Sequence, residues 1–444
     1  MFEKNGWRTT CLLMIYRWEK AYMRNYLCCK NKYVPCFKLI IFSFIFIASS
    51  NVCLAQRPGY ELEPSRSKAD TTKQKDLIDL GEDLLNIEPP KGPDSSGKTL
   101  YFSFLPFSTT VPGGGQALIT STTAGFYTGN RKTTHMSRVS FTPYTNFKGR
   151  FGLPIRSYIW LKNNEWVIMG DTRLMKYPQY TWGLGKQHEG DDKLLVDYTY
   201  FRFYQHALRK ICDGMFAGIG YNLDYRVNID AEKDGVLLKD YTGYQYGTDD
   251  FGRSLSSGLS FNILYDTRSN SINPMDGYYA YFQYRLNPSF LGSDNTWSSV
   301  YLDLRKYLRF TEDPNRQNML GIWGYYWSVL DRKVPYLDLP SVGWDVYNRS
   351  GRGFDQNRFR GRHLIYLEAE YRRDITNNGL LGFVLFTNAN TVSGVNSQIL
   401  KDWNQAIGGG LRIKFNKSSG TNIAIDFGKS KGFSGFQVGL DEVF

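Results

Sequence analysis

The chain has 444 residues, which is enough for two or three average domains or for one large barrel. Aromatic residues make up 16% of it, and 43 glycines stand against only 16 prolines, a composition that suits many strands joined by tight turns. The mean hydropathy is slightly negative, which argues against a helical membrane protein. The formal net charge is +12, but part of it lies in the first 55 residues, and the remaining mild excess gives no reason to expect a nucleic-acid partner.

The first predicted element is a signal peptide in residues 1–55. Residues 39–48, LIIFSFIFIA, form an apolar run that is too short to span a bilayer as a helix, and lysines precede it. Cys53 and Ala55 are the small residues of a cleavage site, so we predict cleavage after Ala55 and a mature chain that begins at Gln56. Met23 is an alternative start for this long leader.

Residues that carry chemistry are scarce in the rest of the chain. Cys212 is the one cysteine outside the leader, so neither a disulfide framework nor a cysteine metal site fits within one mature chain. The four histidines are scattered, and no Gly-x-Ser-x-Gly segment marks a hydrolase nucleophile. We therefore predict that the protein is not an enzyme and has no catalytic residues, no metal site and no cofactor.

Residues 56–98 are polar and include EPPKGPDSSGK, which predicts a periplasmic linker with one short helix at residues 75–86. The segment is too short to form a domain with its own core. From residue 99 the pattern changes, and residues 99–444 form the next predicted unit.

Apolar and polar residues alternate from residue 99 to the end of the chain. In IYLEAEYR, Ile365 and Leu367 lie on one face of a predicted strand, while Glu368 and Glu370 lie on the other. LSSGLSFNILYD, LRIKF and NIAIDF alternate in the same way, and the polar faces carry both acids and bases. Together with the leader, this pattern predicts an all-β fold, a 16-stranded antiparallel transmembrane β-barrel of the outer membrane with apolar side chains toward lipid. A secreted β-sandwich is the alternative.

One segment concentrates positive charge between two predicted strands. GRGFDQNRFRGR, residues 351–362, holds four arginines and one aspartate. Its composition alone fits a solvated basic loop, a phosphate site, or a plug that needs acidic partners.

Several motifs resemble, in the right order, those of the BamA/TamA-type outer-membrane barrels, also called bacterial surface antigen domains. YDTRSNSINPMDGYY at residues 265–279 is similar to their mid-barrel segment, and Arg352, Gly353 and Phe354 with NRFRGR are similar to their sixth extracellular loop. EAEYR, GGGLRIKF and AIDFG resemble three later strands, and Phe444 resembles the terminal aromatic residue that closes such barrels. The resemblance covers residues 99–444.

The resemblance implies that the sixth loop folds back into the lumen, where Arg352 pairs with acids on the inner wall. An arginine inside a narrow pore is costly unless it is paired and hydrogen-bonded. Glu368, Glu370 and Asp426 lie on predicted lumen faces. The family's usual acceptor, an aspartate, is replaced by Asn388, so we expect Arg352 to pair with one of the three acids instead. An exposed basic tip is the alternative.

The sequence departs from the family pattern in three places. FTNAN places Asn388 and Asn390 where the family has aspartate and glycine, and Glu442 stands at a penultimate outward position where an apolar residue is usual. Residues 56–98 are too short for a POTRA domain, so we expect a barrel-only member without POTRA domains.

The resemblance implies a barrel in the outer membrane of a Gram-negative cell, surrounded by outer-membrane lipid, that aids the insertion or export of other proteins. Its partners would be client outer-membrane proteins or a periplasmic protein. A gated or passive pore restricted by the sixth loop, or a structural surface protein, is the alternative. For an assembly barrel we expect a weak seam between residues 101–108 and 435–444, because Pro106 removes a backbone donor and Gly435 and Gly439 weaken the last strand.

Overall fold

A computed structural model describes residues 74–86, 100–110, 115–231, 236–248, 252–313, 315–345, 349–394 and 401–444. The chain divides into two units, residues 1–63 and residues 64–444. None of the first unit falls within the described residues. The predicted signal peptide and its cleavage site therefore lie outside them, as does most of the predicted linker.

The described part of the second unit contains eighteen strand segments in one antiparallel sheet. Segments β3 and β4 both pair with β2 and β5, and β6 and β7 both pair with β8, so each couple fills one position. Sixteen positions result, which confirms the predicted 16-stranded barrel. The segments are β1 (Tyr101–Thr110), β2 (Gln116–Phe126), β3 (Ser137–Phe141), β4 (Tyr144–Thr145), β5 (Phe151–Trp160), β6 (Trp166–Lys176), β7 (Gln179–Thr181), β8 (Leu194–Cys212), β9 (Met215–Ala231), β10 (Arg253–Asp266), β11 (Gly277–Asn287), β12 (Trp297–Arg309), β13 (Asn318–Val329), β14 (His363–Asp374), β15 (Leu381–Val392), β16 (Asn404–Asn416), β17 (Thr421–Ser430) and β18 (Phe433–Leu440).

Neighbouring positions along the chain pair with each other throughout the sheet, from β1 with β2 to β17 with β18. In the part of the chain that the structure describes, no residue of β1 is in register with a residue of β18. One side-chain contact passes over β1 to connect the two ends of the sheet, because Thr123 of β2 donates a hydrogen bond of 2.8 Å to Asp441, the residue after β18. We call the boundary between β1 and β18 the seam.

The burial pattern is the reverse of that in a soluble protein. On β14 the polar side chains of Glu368, Glu370 and Arg372 are buried, whereas Leu367 on the opposite face is 48% exposed. The same inversion recurs around the sheet, where many large apolar residues are exposed and many arginines and aspartates are buried. An apolar exterior around a polar interior is the arrangement of a transmembrane β-barrel. The β-sandwich alternative does not fit this pattern.

The two ends of the barrel differ in the length of their connections. At the short-turn end, strands are joined by segments such as residues 213–214, 375–380 and 417–420. The long-loop end holds the connection between β9 and β10, which contains helix α2 (Leu238–Thr242), and residues 330–362 between β13 and β14. We call residues 330–362 the lumen loop.

One helix of the predicted linker docks at the short-turn end. Helix α1 (Leu77–Leu85) is capped by Asp76, whose side chain accepts from the backbone of Asp79 in a capping box. Lys417 in the β16–β17 turn donates to the Asp79 carboxylate at 2.6 Å. Burial opposes ionisation of Asp79, but the hydrogen bond from Lys417 and further contacts outweigh it and hold the pKa of Asp79 below its ordinary value. Neither α1, α2 nor any other helix among the described residues has the length and apolar character needed to cross a membrane.

Candidate functional site

The lumen loop leaves the rim of the barrel and enters its interior. Its first half carries a short 3-10 helix, Tyr336–Asp338, whose residues are buried. Asp338 accepts from Arg226 of β9 at 2.5 Å and from Ser256 of β10 at 2.6 Å. Arg360, near the end of the loop, donates to the carbonyl of Tyr336 at 3.0 Å. The loop is therefore attached both to itself and to the inner wall of the barrel.

Arg352 lies at the tip of the lumen loop and is only 3% exposed. Its Nε donates to Glu368 of β14 at 2.9 Å, and its Nη1 donates to Asp426 of β17 at 2.8 Å. Its Nη2 contacts both Glu368 and Glu370. The guanidinium also lies 3.7 Å from the ring centre of Phe386 on β15. The structure thus brings Arg352 to all three predicted acids, where the sequence led us to expect one.

Gly353 and Phe354 complete the tip, and each has a distinct steric role. Gly353 has φ +84°, and a Cβ atom there would lie 2.9 Å from the backbone nitrogen of Lys429. A Cβ on Gly428 of β17 would in turn lie 2.6 Å from the nitrogen of Gly353. Loop and strand therefore meet backbone to backbone, which only glycine permits. Phe354 packs edge-on against Phe359 at 5.4 Å, within the loop.

Asn388 lies beside the tip but does not bind the guanidinium of Arg352. Its Nδ2 donates to the backbone carbonyl of Arg352 at 2.9 Å. Its Oδ1 is buried and has no hydrogen-bond partner among the described residues. Asn388 therefore holds the backbone of the tip, while the guanidinium is left to the three acids.

A second set of charges, which the sequence analysis missed, extends the Arg352 cluster. Arg412 of β16 donates to Asp426 at 2.6 Å and to Glu442 at 2.8 Å. Arg372 of β14 donates to Glu370. Alternation could have identified both arginines, because Arg372 shares the lumen face of Glu370 and Arg412 that of Lys414. Glu442 carried no such signal, because it lies beyond the last strand.

The predicted positions of Phe444 and Glu442 on an outward-alternating last strand are wrong. Strand β18 ends at Leu440, and Asp441 adopts φ +72°, which turns the chain inward. Glu442 and Phe444 are buried inside the barrel, and the Phe444 ring lies 5.3 Å from that of Trp323. Arg372 donates to the main-chain oxygen of Phe444 at 2.7 Å. We call residues 441–444 the lumen tail.

The fold and the site together define the class of protein. It is a transmembrane β-barrel in which a long loop is packed into the lumen through buried ion pairs. The Omp85 superfamily domain matches residues 198–439, which is more than half of the chain. The chain belongs to the Omp85 superfamily. No curated protein matches it at a significant level.

The solved structures that are similar to the chain include two outer-membrane proteins. BamA from Haemophilus ducreyi, in a form that lacks POTRA domains 1–3, is 14% identical with a TM-score of 0.47, and the match covers 85% of this chain and 82% of that one. CdiB from Acinetobacter baumannii is 12% identical with a TM-score of 0.49, and the match covers 77% of this chain and 60% of that one.

Proposed function

We propose that this chain is an outer-membrane barrel of a Gram-negative cell that aids the insertion or export of other proteins through the seam between β1 and β18. The observation that carries the proposal is the missing backbone register between these two strands in the described residues, in a sheet whose other neighbours are paired. An unpaired strand edge is a template on which another chain can add a strand. The function is one of assembly and not of catalysis.

The composition of the two strands supports this role. Pro106 stands opposite Thr120 within the β1–β2 ladder and offers no backbone donor. A Cβ on Gly439 of β18 would meet nothing within 4 Å, so no side chain packs against the strand at this position. Strands of this kind separate from a neighbour at lower cost than a strand with a full row of donors and packed side chains.

A periplasmic partner is part of the proposal. Bacterial barrels have short periplasmic turns and long extracellular loops, which puts the short-turn end and α1 on the periplasmic side. Helix α1 docks through polar residues and leaves Leu84 83% exposed and Leu85 68% exposed. This apolar surface is available to a separate protein that delivers clients.

A gated or passive pore is the second candidate, and the position of the lumen loop favours it. The loop runs inside the barrel and is held to its wall by Arg352 and Asp338, so its displacement would widen the lumen. In this case the seam would have no part in the function, and solutes would pass along the barrel axis.

Locking the seam distinguishes the two functions. We would replace Thr123 and Asp441 with cysteines, because their side chains already meet, in a Cys212→Ser background that removes the exposed native thiol. The matched control joins Thr123→Cys to Ser140→Cys, its register partner in the β2–β3 ladder. Both proteins would be expressed in cells depleted of the native protein, with and without reductant.

The proposal predicts that depletion lowers the levels of other outer-membrane proteins, and that the control disulfide restores them. The oxidised seam lock should fold and sit in the membrane yet restore them only after reduction. If the oxidised Thr123→Cys/Asp441→Cys protein fully restores the levels of other outer-membrane proteins, opening of the seam is not required for the function. A locked protein that keeps single-channel conductance and also supports the cell would establish the pore in its place.

A further inference from the structure

A cavity inside the barrel lies next to the lumen tail and is rich in arginine. Its volume is about 70 Å³, and its lining includes five arginines, namely Arg138, Arg156, Arg268, Arg305 and Arg349. Among the described residues, its lining holds two acids, Asp171 and Glu442. Since a cavity needs ~10–15 Å³ to hold one water, the space is enough for several waters or for one compact anion.

Two of the five arginines are neutralised by their own acids. Arg268 donates to Asp266 at 2.9 and 2.7 Å, and Arg305 donates to Asp303 at 2.9 and 2.6 Å. In both pairs the contact is bidentate, with Nε and Nη2 of the guanidinium donating to one carboxylate. These two arginines therefore line the cavity without being available to a ligand.

The two acids that line the cavity form ion pairs with arginines outside it. Asp171 bonds Arg173 at 2.5 Å and Arg202 at 3.2 Å, which leaves Arg156 at 3.9 Å from the same carboxylate. Glu442 accepts from Arg412. The carboxylates around the cavity are therefore used by arginines that do not face into it.

Arg138, Arg156 and Arg349, which we call the arginine trio, have the weakest pairing. Arg138 and Arg349 share one carboxylate, that of Asp441, at 3.9 Å each. Arg349 donates to the main-chain oxygens of Leu440 and Glu442, and Arg138 reaches the carbonyl of Ser271 only at 3.5 Å.

The trio is also placed to receive a ligand. The Nε of Arg156 is buried without a hydrogen-bond partner among the described residues. The three side chains keep 15%, 21% and 19% of their surface, so small species reach them. Asp345 of the lumen loop interacts electrostatically with Arg156 and Arg349. Its carboxylate also accepts a hydrogen bond of 2.6 Å from Ser350.

We propose that the arginine trio binds one phosphate group in this cavity. Three guanidiniums line one cavity, and the carboxylates nearest to them are shared or hydrogen-bonded to other groups, so positive charge is left over. Phosphate offers a charge close to −2 with several acceptor oxygens. The group belongs either to inorganic phosphate or to a lipid headgroup. Neither the seam nor any transport role is needed for this inference.

The positive charge of the arginine trio leads to a prediction about the stability of the barrel. Without phosphate the trio repels itself, so replacing two of its members with neutral residues should leave the barrel as stable as the parent or more stable. With phosphate the parent should gain stability and the variant should not, because a ligand stabilises only the protein that binds it.

The experiment uses the purified full chain in phospholipid-free detergent. Inorganic phosphate is titrated by calorimetry, with chloride at matched ionic strength, into the parent, Arg138→Gln/Arg156→Gln, Arg138→Lys/Arg156→Lys and the control Arg373→Gln, an exposed arginine on β14. We expect saturable binding that weakens at least about tenfold in the glutamine pair, less in the lysine pair, and not in Arg373→Gln. The temperature at which heat-modifiable gel mobility is lost verifies that each variant is folded.

A second arm covers a lipid source. If the phosphate belongs to a headgroup, native mass spectrometry of protein released from membranes shows one retained phospholipid on the parent and on Arg373→Gln, and none on the glutamine pair. Saturable phosphate binding supports the free ion, and trio-dependent lipid retention supports the headgroup. If phosphate affects parent and glutamine pair alike, and both retain the same lipid, the proposal is overturned.

Discussion

At the scale of single residues, the defining feature is one guanidinium that serves three carboxylates on two strands. Glu368 and Glu370 are neighbours on the lumen face of β14, and both are buried. Two adjacent carboxylates repel each other and lose hydration, so a cation must lie between them. Arg352 fills that place, and its contact with Asp426 joins β14 to β17 through the loop.

We therefore expect Arg352→Ala to destabilise the barrel by about 3–5 kcal/mol, the usual cost of breaking a buried pair from one side. The measurement is the temperature at which heat-modifiable gel mobility is lost. Arg373→Ala on the exposed face of β14 is the matched control and should change this temperature little. An unchanged temperature for Arg352→Ala, with protease cleavage at the native Arg352 in intact cells, would instead mean that the loop tip is exposed.

A second residue-scale prediction concerns the backbone contact between the loop tip and β17. Gly428→Ala would bring a Cβ atom to 2.6 Å from the nitrogen and 2.8 Å from the Cα of Gly353. Because backbone atoms cannot rotate away, the tip must move, at a cost of about 1–3 kcal/mol. Limited trypsin digestion of the folded protein should then cut at Arg352 or Arg358.

Gly439→Ala is the control, since its Cβ would meet nothing within 4 Å. This variant should remain resistant to trypsin, with unchanged or slightly higher stability. Equal protection of both variants would show that the loop tip does not rest on β17.

At the scale of elements, the lumen tail departs most from what alternation indicates. Phe433 to Leu440 continue the sheet, but the turn at Asp441 sends the last residues into the lumen. Arg349 of the lumen loop donates to the main chain of Glu442, and Arg412 bonds its side chain. The lumen loop and the lumen tail therefore support each other inside the barrel.

This position of the tail leads to a prediction that separates two roles for its final aromatic residue. Phe444→Ala should lower the free energy of unfolding of the purified protein by about 3 kcal/mol, because it empties a buried space beside Trp323 and Tyr307. It should also change the near-ultraviolet circular dichroism of that aromatic group. Phe436→Ala, at a 77% exposed outward position of β18, is the control and should cost less than about 1 kcal/mol. The reverse order would place Phe444 on the lipid side.

At the scale of the whole molecule, the strands could be predicted from the sequence because lipid and lumen impose one rule on every strand. Alternation indicated sixteen strands, since an apolar outer face is required all around the barrel. Helix α1 was indicated within residues 75–86 and observed at Leu77–Leu85. Breaks such as that between β6 and β7 were not indicated, because they depend on local turn geometry.

The interior was predictable only in part. Glu368, Glu370 and Asp426 could be named from the face they occupy, but strand periodicity does not say which of them a loop residue reaches. That depends on register, on the glycine contact that seats the tip, and on Phe386 below the guanidinium. The turn at Asp441 is a single backbone angle, and no pattern of residue types predicts it.

The position of the Arg352 tip has a consequence for the order of folding. Arg352 is sixteen residues from Glu368 but 74 residues from Asp426. Contacts between residues close in sequence form early because little chain entropy is lost, so the loop can settle on β14 as soon as that hairpin exists. Strand β17 then arrives at a guanidinium already in place. If the barrel closed first, the lumen loop would have to enter past unpaired carboxylates. We therefore expect the lumen loop to pack on β14 before the last strands complete the barrel.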